Sequence, residues 1–340
     1  NGHSNTGNRT AMAETTSRLK IAIPLIAMLV LLAAWSGWWW WASNFAQTKL
    51  AEMRANLSDR FALTCTSEDW GGYPYRIMFT CTEPVIELKR QGTTVSSAKL
   101  DILAQAYNPS HIIARLTGPS EITNPRQAVR LDAEHLPLVT GVKFKDRKFA
   151  IASSRIKQLS LRQDGALVAN ADAAALHIRP ADGRPGVDFA ADAQGLTAFP
   201  GTPQVIPLDQ FTAQANIDKL PVGAVRNFNE FARAAAAAGS VITLDSFSAD
   251  ASGIGATASG TVTIDQQGSL TGGLKSRLKN LDKLLGELIT RGVVKEKQAR
   301  AASTLLGLFK RPDGIAADLR FKECNVYWGP IKLGRHEPLF

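Results

Sequence analysis

Residues Ile21–Trp41, IAIPLIAMLVLLAAWSGWWWW, carry no charge and end in four consecutive tryptophans. A bilayer hydrocarbon core of ~30 Å needs about 20 apolar residues at ~1.5 Å each, so the run is long enough to cross one. Tryptophan prefers the membrane–water interface, where its amphipathic ring is half wetted. Past the tryptophans the pattern becomes amphipathic and helical, with Ala46, Leu50, Met53 and Leu57 on one face at spacings of four, three and four. These patterns predict a disordered cytoplasmic leader over 1–20, a transmembrane anchor over 21–42 and an amphipathic stalk helix over 43–61. Met12, ahead of AETTSRLK, reads as a natural start.

From residue 62 to about 217 the period falls to two. Val85–Lys89, Ala98–Ala106, Ile112–Leu116, Val129–Ala133, Ile156–Leu161, Ala173–Ile178 and Phe211–Ile217 each alternate apolar and polar positions. Such alternation gives one apolar and one polar face per strand. Asn108-Pro109, Gly118-Pro119, Asn124-Pro125, Asp164-Gly165, Asp182-Gly183 and Pro200-Gly201 are turn signals between them. This order predicts antiparallel meanders rather than crossover units. Leu159–Ala171 (LSLRQDGALVANA) and Val262–Leu274 (VTIDQQGSLTGGL) form a weak repeat of strand, glycine turn and strand. Ser252–Gly260 (SGIGATASG) reads as a flexible hairpin edge, because it lacks the lysine and the strand-to-helix context of a phosphate loop.

Helices interrupt the strands near 221–238 and 280–310. The first opens on Pro221, carries Val225, Phe228, Phe231 and Ala235, and ends at Gly239. The second carries Leu281, Leu284, Leu285 and Leu288, then Ala302, Leu305, Leu306 and Phe309, with a break at Gly292 and a stop at Arg311-Pro312. A leucine stripe of this kind serves as core contact, or, on the sharper reading, as a lid over an apolar groove. The lid residues would be Leu281, Leu284, Leu285, Leu288, Leu305, Leu306 and Phe309.

Orientation follows from charge. Arg9, Arg18 and Lys20 precede the apolar run, which keeps the short tail in the cytoplasm and puts the main domain outside it. Lys49 and Arg54 just beyond weaken the contrast. A cleaved signal peptide is the rival, with Ala34-Trp35-Ser36 as a small-x-small site. Against it, the run exceeds an h-region of about 7–15 residues, and Trp38–Trp41 would follow the cut. The net charge of +9 is spread along the chain. It suits a solvated surface attracted to anionic headgroups. No recognition helix, zinc knuckle or aromatic RNA-binding strand motif is present, which argues against nucleic acid.

Cys65 and Cys81 are centred on Tyr73-Pro74. A hairpin turning there would set them opposite each other on paired strands, and an oxidising compartment would join them in a disulfide. Two buried free thiols are the alternative, and Cys324 has no evident partner. In the same stretch Glu68 or Asp69 would pin the turn through Arg76. The functional alternative is a docking loop of Trp70, Tyr73, Pro74, Tyr75 and Arg76, with the aromatic rings exposed as anchors.

Catalytic spacing is missing. His3, His111, His135, His177 and His336 are isolated, and no GxSxG, HExxH, P-loop or GxGxxG occurs. No His or Cys pair has zinc-ligand spacing, so neither a metal nor another cofactor is expected.

The block Cys65–Cys81, with Trp70, Gly72-Tyr73-Pro74-Tyr75-Arg76 and Cys81, resembles the signature of the bacterial family catalogued as domain of unknown function 2125. Further matching motifs are Tyr107-Asn108-Pro109 with His111-Ile112-Ile113, Gly118-Pro119, Gly260–Asp265, Gly268–Gly272 and Gly329–Gly334. The resemblance covers most of the chain from residue 20 onward and implies a Gram-negative envelope protein without assigned activity. The meandering strands and glycine hairpins are also similar to AsmA-like envelope proteins, whose extended sheet forms a groove for lipid chains. That second likeness is at the level of fold.

The expected fold class is mainly β (α+β): an inner-membrane anchor, then a periplasmic antiparallel meander over 62–340 with two helical insertions. An open curved sheet would leave a groove, and a closed barrel or sandwich would fill it. The expected function is non-enzymatic, binding an apolar or lipid ligand in the sheet. The alternative is a scaffold that holds an envelope protein through Trp70–Arg76, and a hydrolase ranks last.

Overall fold

In the computed structural model, residues 11–146, 148–200, 205–219, 228–307, 310–311, 314–322 and 324–340 are described. Helix α1 (Ala11–Asn56) runs uninterrupted for 46 residues. Anchor and stalk are therefore one rod, and Ala11–Lys20 are helical rather than the disordered leader expected. AMAETTSRLK contains no glycine or proline to stop a helix propagating back from the apolar run. Residues 1–10 lie outside the described residues. The stalk's inward face also differs from the expected stripe. Met53 is 52% exposed, while Leu50 and Arg54 turn toward the sheet.

The strands follow in a meander: β1 (Phe61–Thr64), β2 (Ser67–Gly71), β3 (Arg76–Thr82), β4 (Val85–Leu88), β5 (Thr93–Gln105), β6 (Asn108–Asn124), β7 (Val129–Glu134), β8 (Leu138–Lys145), β9 (Lys148–Gln163), β10 (Ala166–Pro180), β11 (Gly186–Ala198) and β12 (Leu208–Asp218). Helix α2 (Phe228–Ala238) precedes β13 (Val241–Ala251), β14 (Ile254–Ile264) and β15 (Leu270–Leu278). Helices α3 (Leu281–Thr290) and α4 (Glu296–Gly307) precede β16 (Lys310–Arg311), β17 (Gly314–Lys322), β18 (Asn325–Trp328) and β19 (Ile331–Arg335).

All nineteen strands belong to one sheet, and every pairing is antiparallel. Short strands sit end to end where a long one faces two partners. β5 pairs with β4 through Thr93–Ser96 and with β3 through Lys99–Gln105. β6 pairs with β8 through His111–Leu116 and with β7 through Ser120–Asn124.

Gly118-Pro119 therefore lies inside β6 and is not the turn that its sequence suggests. It falls at the hand-over between β8 and β7, where proline's missing N–H has no ladder bond to make. The observed strands are longer than expected. β6 spans 17 residues and β9 spans 16, because polar positions at both ends continue the ladder without adding an apolar signal.

Both copies of the weak repeat are hairpins, β9–β10 and β14–β15. Gly260 and Gly272 face each other's strands with φ of +149° and +139°. A Cβ on either would come within 2.4 Å of the opposite strand's carbonyl oxygen, so only glycine fits. Ser252–Gly260 is a hairpin as expected, but β14 is flanked on both sides by β13 and β15 and is no edge.

α2 ends at Gly239 with φ +58°. Phe231 and Ala235 lie in its packed face, while residues 220–227, including Pro221 and Val225, lie outside the described residues. Gly292 (φ +72°) separates α3 from α4 as expected.

Candidate functional site

Directly opposed residues in an antiparallel pair share a face. Following the register strand by strand therefore sorts the whole sheet into two surfaces. One carries Phe79 opposite Ile102, Ile102 opposite Ala114, Ala114 opposite Thr140, and Thr140 opposite Ser154. It continues through Leu176, Ala191, Ala213 and Phe247 to Ala258. Beyond β14 it reaches Ser276, Ala317, Leu319 and Trp328. From β3 to β18 this apolar surface crosses thirteen strands. At ~4.8 Å per strand it runs for roughly 60 Å, about twice the thickness of a bilayer's hydrocarbon core.

The opposite surface is polar and tied by cross-strand ion pairs. Across strands Arg179 meets Asp188 at 3.1 Å and Arg130 meets Glu121 at 3.1 Å, and within β5 Lys99 meets Asp101 at 3.0 Å. A cavity of about 1010 Å³ lies at β13–β15 and β17, and its lining draws on both surfaces: Lys275, Arg277, Asp318 and Arg320 from the polar one, Phe247, Ala258 and Ala317 from the apolar one.

A bulge keeps the apolar surface continuous. In β13, Ile242 and Leu244 are apolar at even positions, and Phe247, Ala249 and Ala251 at odd ones. The register shift between Leu244 and Phe247 absorbs the change of parity, so all five stay on one face.

Among the described residues, helices cover parts of this surface. Leu50 of α1 packs with Phe79, Cys81 and Leu100 at one end. On the central strands β11, β12 and β14, Ala232, Ala235 and Ala236 of α2 pack on Val187, Ile217 and Ile264. Leu281, Leu284 and Leu285 of α3 pack with Leu278, Ile315, Trp328 and Ile331. Outside these contacts Ile112 and Leu176 are 37% and 43% exposed. Ala152, Ala174, Ala191 and Ala213 surround them and make a shallow floor.

The expected lid residues thus divide. Leu281, Leu284 and Leu285 lie on the apolar surface as core contacts. Leu288 is half-buried on α3, and Leu305 and Leu306 lie on α4. Phe309 lies outside the described residues.

Cys65 and Cys81 form a disulfide with Cα atoms 5.4 Å apart. They are not cross-strand partners, because the register sets Glu68 opposite Cys81. Cys65 instead follows β1 and reaches across to β3, so the bond ties β1 to the β2–β3 hairpin. In the chain-entropy account a loop of this size contributes about 3 kcal/mol. We expect Cys65→Ser/Cys81→Ser to lower the urea midpoint by that amount of stability, and reduction of the wild type to do the same. Cys324 is a free thiol, buried against the Ser269 hydroxyl.

The loop at Trp70–Arg76 is held by α1, not by its own acids. Trp35 Nε1 donates to the Pro74 carbonyl (3.1 Å) and Trp39 Nε1 to the Arg76 carbonyl (2.8 Å). Ser36 Oγ hydrogen-bonds the Tyr73 hydroxyl (2.8 Å), and the Trp39 and Tyr73 rings meet edge to face at 5.4 Å. The expected pin from Glu68 to Arg76 does not form, since Glu68 accepts from Arg54 at 2.8 Å. Trp70 is not an exposed anchor either. It packs on Phe79 with ring centroids 5.1 Å apart. Tyr73 and Tyr75 remain 52% and 69% exposed.

Two serine–histidine contacts escaped sequence reading, because nothing in the spacing marks them. Ser120 Oγ lies 2.9 Å from His135 Nε2, whose Nδ1 is 2.8 Å from the Leu136 carbonyl. Ser153 Oγ lies 2.8 Å from His177 Nδ1. Ser120 is buried and shares its hydroxyl with Ser97 at 2.8 Å. Both contacts staple neighbouring segments, and among the described residues no carboxylate contacts either ring in the manner of a triad. Among the described residues no group of three His, Cys, Asp or Glu side chains is placed to hold a metal.

A model of the family described as "Uncharacterized protein conserved in bacteria (DUF2125)" matches residues 39–337. The chain belongs to this family. Neither a curated protein nor a solved structure matches it. In this DUF2125 member the match takes in the tryptophan cluster's end, the disulfide and the entire sheet. Helix α1 is long and apolar enough to cross a membrane, a property that a signal sequence near an N-terminus shares.

Proposed function

We propose that this protein is anchored in the inner membrane by α1 and holds lipid acyl chains on the apolar surface of its periplasmic sheet, without transforming them. The exposed Ile112 and Leu176, set within a mostly apolar face, carry this reading. A contiguous exposed apolar patch on a soluble sheet commonly marks a binding surface. Lipid is the favoured occupant because the face starts against the membrane helix itself, where Leu50 joins Phe79 and Leu100. Uncleaved anchoring is favoured because Trp35, Ser36 and Trp39 bond to the β2–β3 loop, and cleavage after Ser36 would remove two of those three partners. The disulfide favours an oxidising compartment.

Native mass spectrometry with lipid extraction, on the full chain purified in mild detergent, tests this. Stoichiometric phospholipid should survive stripping of the detergent. A protein that sheds all lipid while retaining its fold would contradict the reading and turn attention to a protein ligand.

A further inference from the structure

We propose that the tips of the β2–β3 and β5–β6 hairpins form a foot that sits in the lipid headgroup layer and fixes one rim of the sheet against the bilayer. This rests on α1 crossing the membrane and not on the identity of what the apolar surface holds. The two tips are joined, since the Ala106 N–H donates to the Tyr75 carbonyl at 2.9 Å. They present Tyr73, Tyr75 and Tyr107, which are 52%, 69% and 66% exposed. Arg76 lies beside them and is exposed.

Depth follows from the contacts with α1. The loop bonds to Trp35, Ser36 and Trp39. Trp35 lies six residues before Trp41, the end of the uncharged run, or about 9 Å along the helix. If Trp38–Trp41 mark the interface, the loop touches the helix at and below that level, within the aromatic belt. Three exposed tyrosines and an arginine at this depth match what the interface favours: amphipathic rings, and a cation for lipid phosphates. In bulk water the same three exposed rings would have no such function.

The test uses the full chain carrying Cys324→Ser, with single cysteines labelled by an environment-sensitive fluorophore, in phosphatidylcholine/phosphatidylglycerol nanodiscs. Labels go at Tyr75→Cys and Tyr107→Cys on the foot, Gln91→Cys at the far end of β5, and Leu29→Cys within α1. β5 has 13 residues, which separates Gln91 from Tyr107 by roughly 40 Å. Lipids spin-labelled near the headgroup should quench positions 75 and 107 and shift their emission to the blue, leaving 91 unchanged. Lipids labelled deep in the chain should quench position 29. Quenching at 29 with none at 75 and 107 would overturn the foot while leaving the anchor standing. No quenching at 29 would overturn the foot together with the span on which it rests. Shielding of 75 and 107 from aqueous quencher without lipid quenching would also overturn it and point to a protein on the tips.

Discussion

Leu176→Glu should strip bound lipid from the protein without unfolding it. Leu176 is 43% exposed, so glutamate at this position keeps contact with water in the empty protein. Surface changes of this kind usually move stability by no more than about 0.5 kcal/mol. Beneath an acyl chain, however, the same carboxylate loses its water and finds no partner. Its neighbours across β9 and β11 are Ser154 and Ala191, and neither offers a charge. Burial of an unpaired ionised group costs about 3 kcal/mol or more, a factor of ~100 in affinity. Lipid quantified by mass spectrometry after purification, beside a urea titration of the same sample, separates the two effects. The neighbouring His177→Glu is the matched control, because residues one apart in a strand point to opposite faces. It should retain lipid.

Phe79→Ala should produce the largest loss of stability of any single change considered. Phe79 is 2% exposed and lies where three elements meet. Trp70 packs on its ring at 5.1 Å, the Arg54 guanidinium stands 5.4 Å from its centroid, and Leu50 joins the same cluster from α1. Truncation of a buried phenylalanine costs about 3–5 kcal/mol, from lost transfer energy and the cavity left behind. The change should therefore shift the urea midpoint more than removal of the disulfide. It should also loosen the second half of α1 from the sheet, seen as faster amide exchange over Leu50–Asn56. An unchanged midpoint would mean that α1 and the sheet are not energetically joined.

How much of this was readable in the sequence depends on the length scale of each interaction. Strand alternation is local, so the two-faced character of β5, β6 and β10 was legible from residues two apart. The continuity of the face from strand to strand was not, because it depends on register. In β13 the apolar parity reverses at Asp245-Ser246, which reads as a broken strand until the bulge is seen. The disulfide was legible from two cysteines placed evenly about a turn, though its geometry was misjudged, since Cys65 precedes β2 instead of lying on it. Glu68 chose Arg54 over the nearer Arg76 because the β2–β3 hairpin lies back along α1, and no local signal announces that. The bonds from Trp35 and Trp39 to the hairpin loop span 39 and 37 residues. Sequence alone assigned Trp39 to the membrane interface and Trp35 to the apolar run, and both also serve as the loop's docking site.

The central claim is that one face of the sheet carries lipid, and site-specific photocrosslinking in living cells tests it most directly. A benzophenone amino acid is placed at Leu176 or at His177, and cells are grown with radiolabelled phosphate. Residues 176 and 177 are adjacent but lie on opposite faces, so the two probes differ chiefly in the face they report. The account predicts labelled phospholipid attached to the protein when the probe is at 176, and little when it is at 177. Equal labelling at both positions, or labelling at neither, would contradict it.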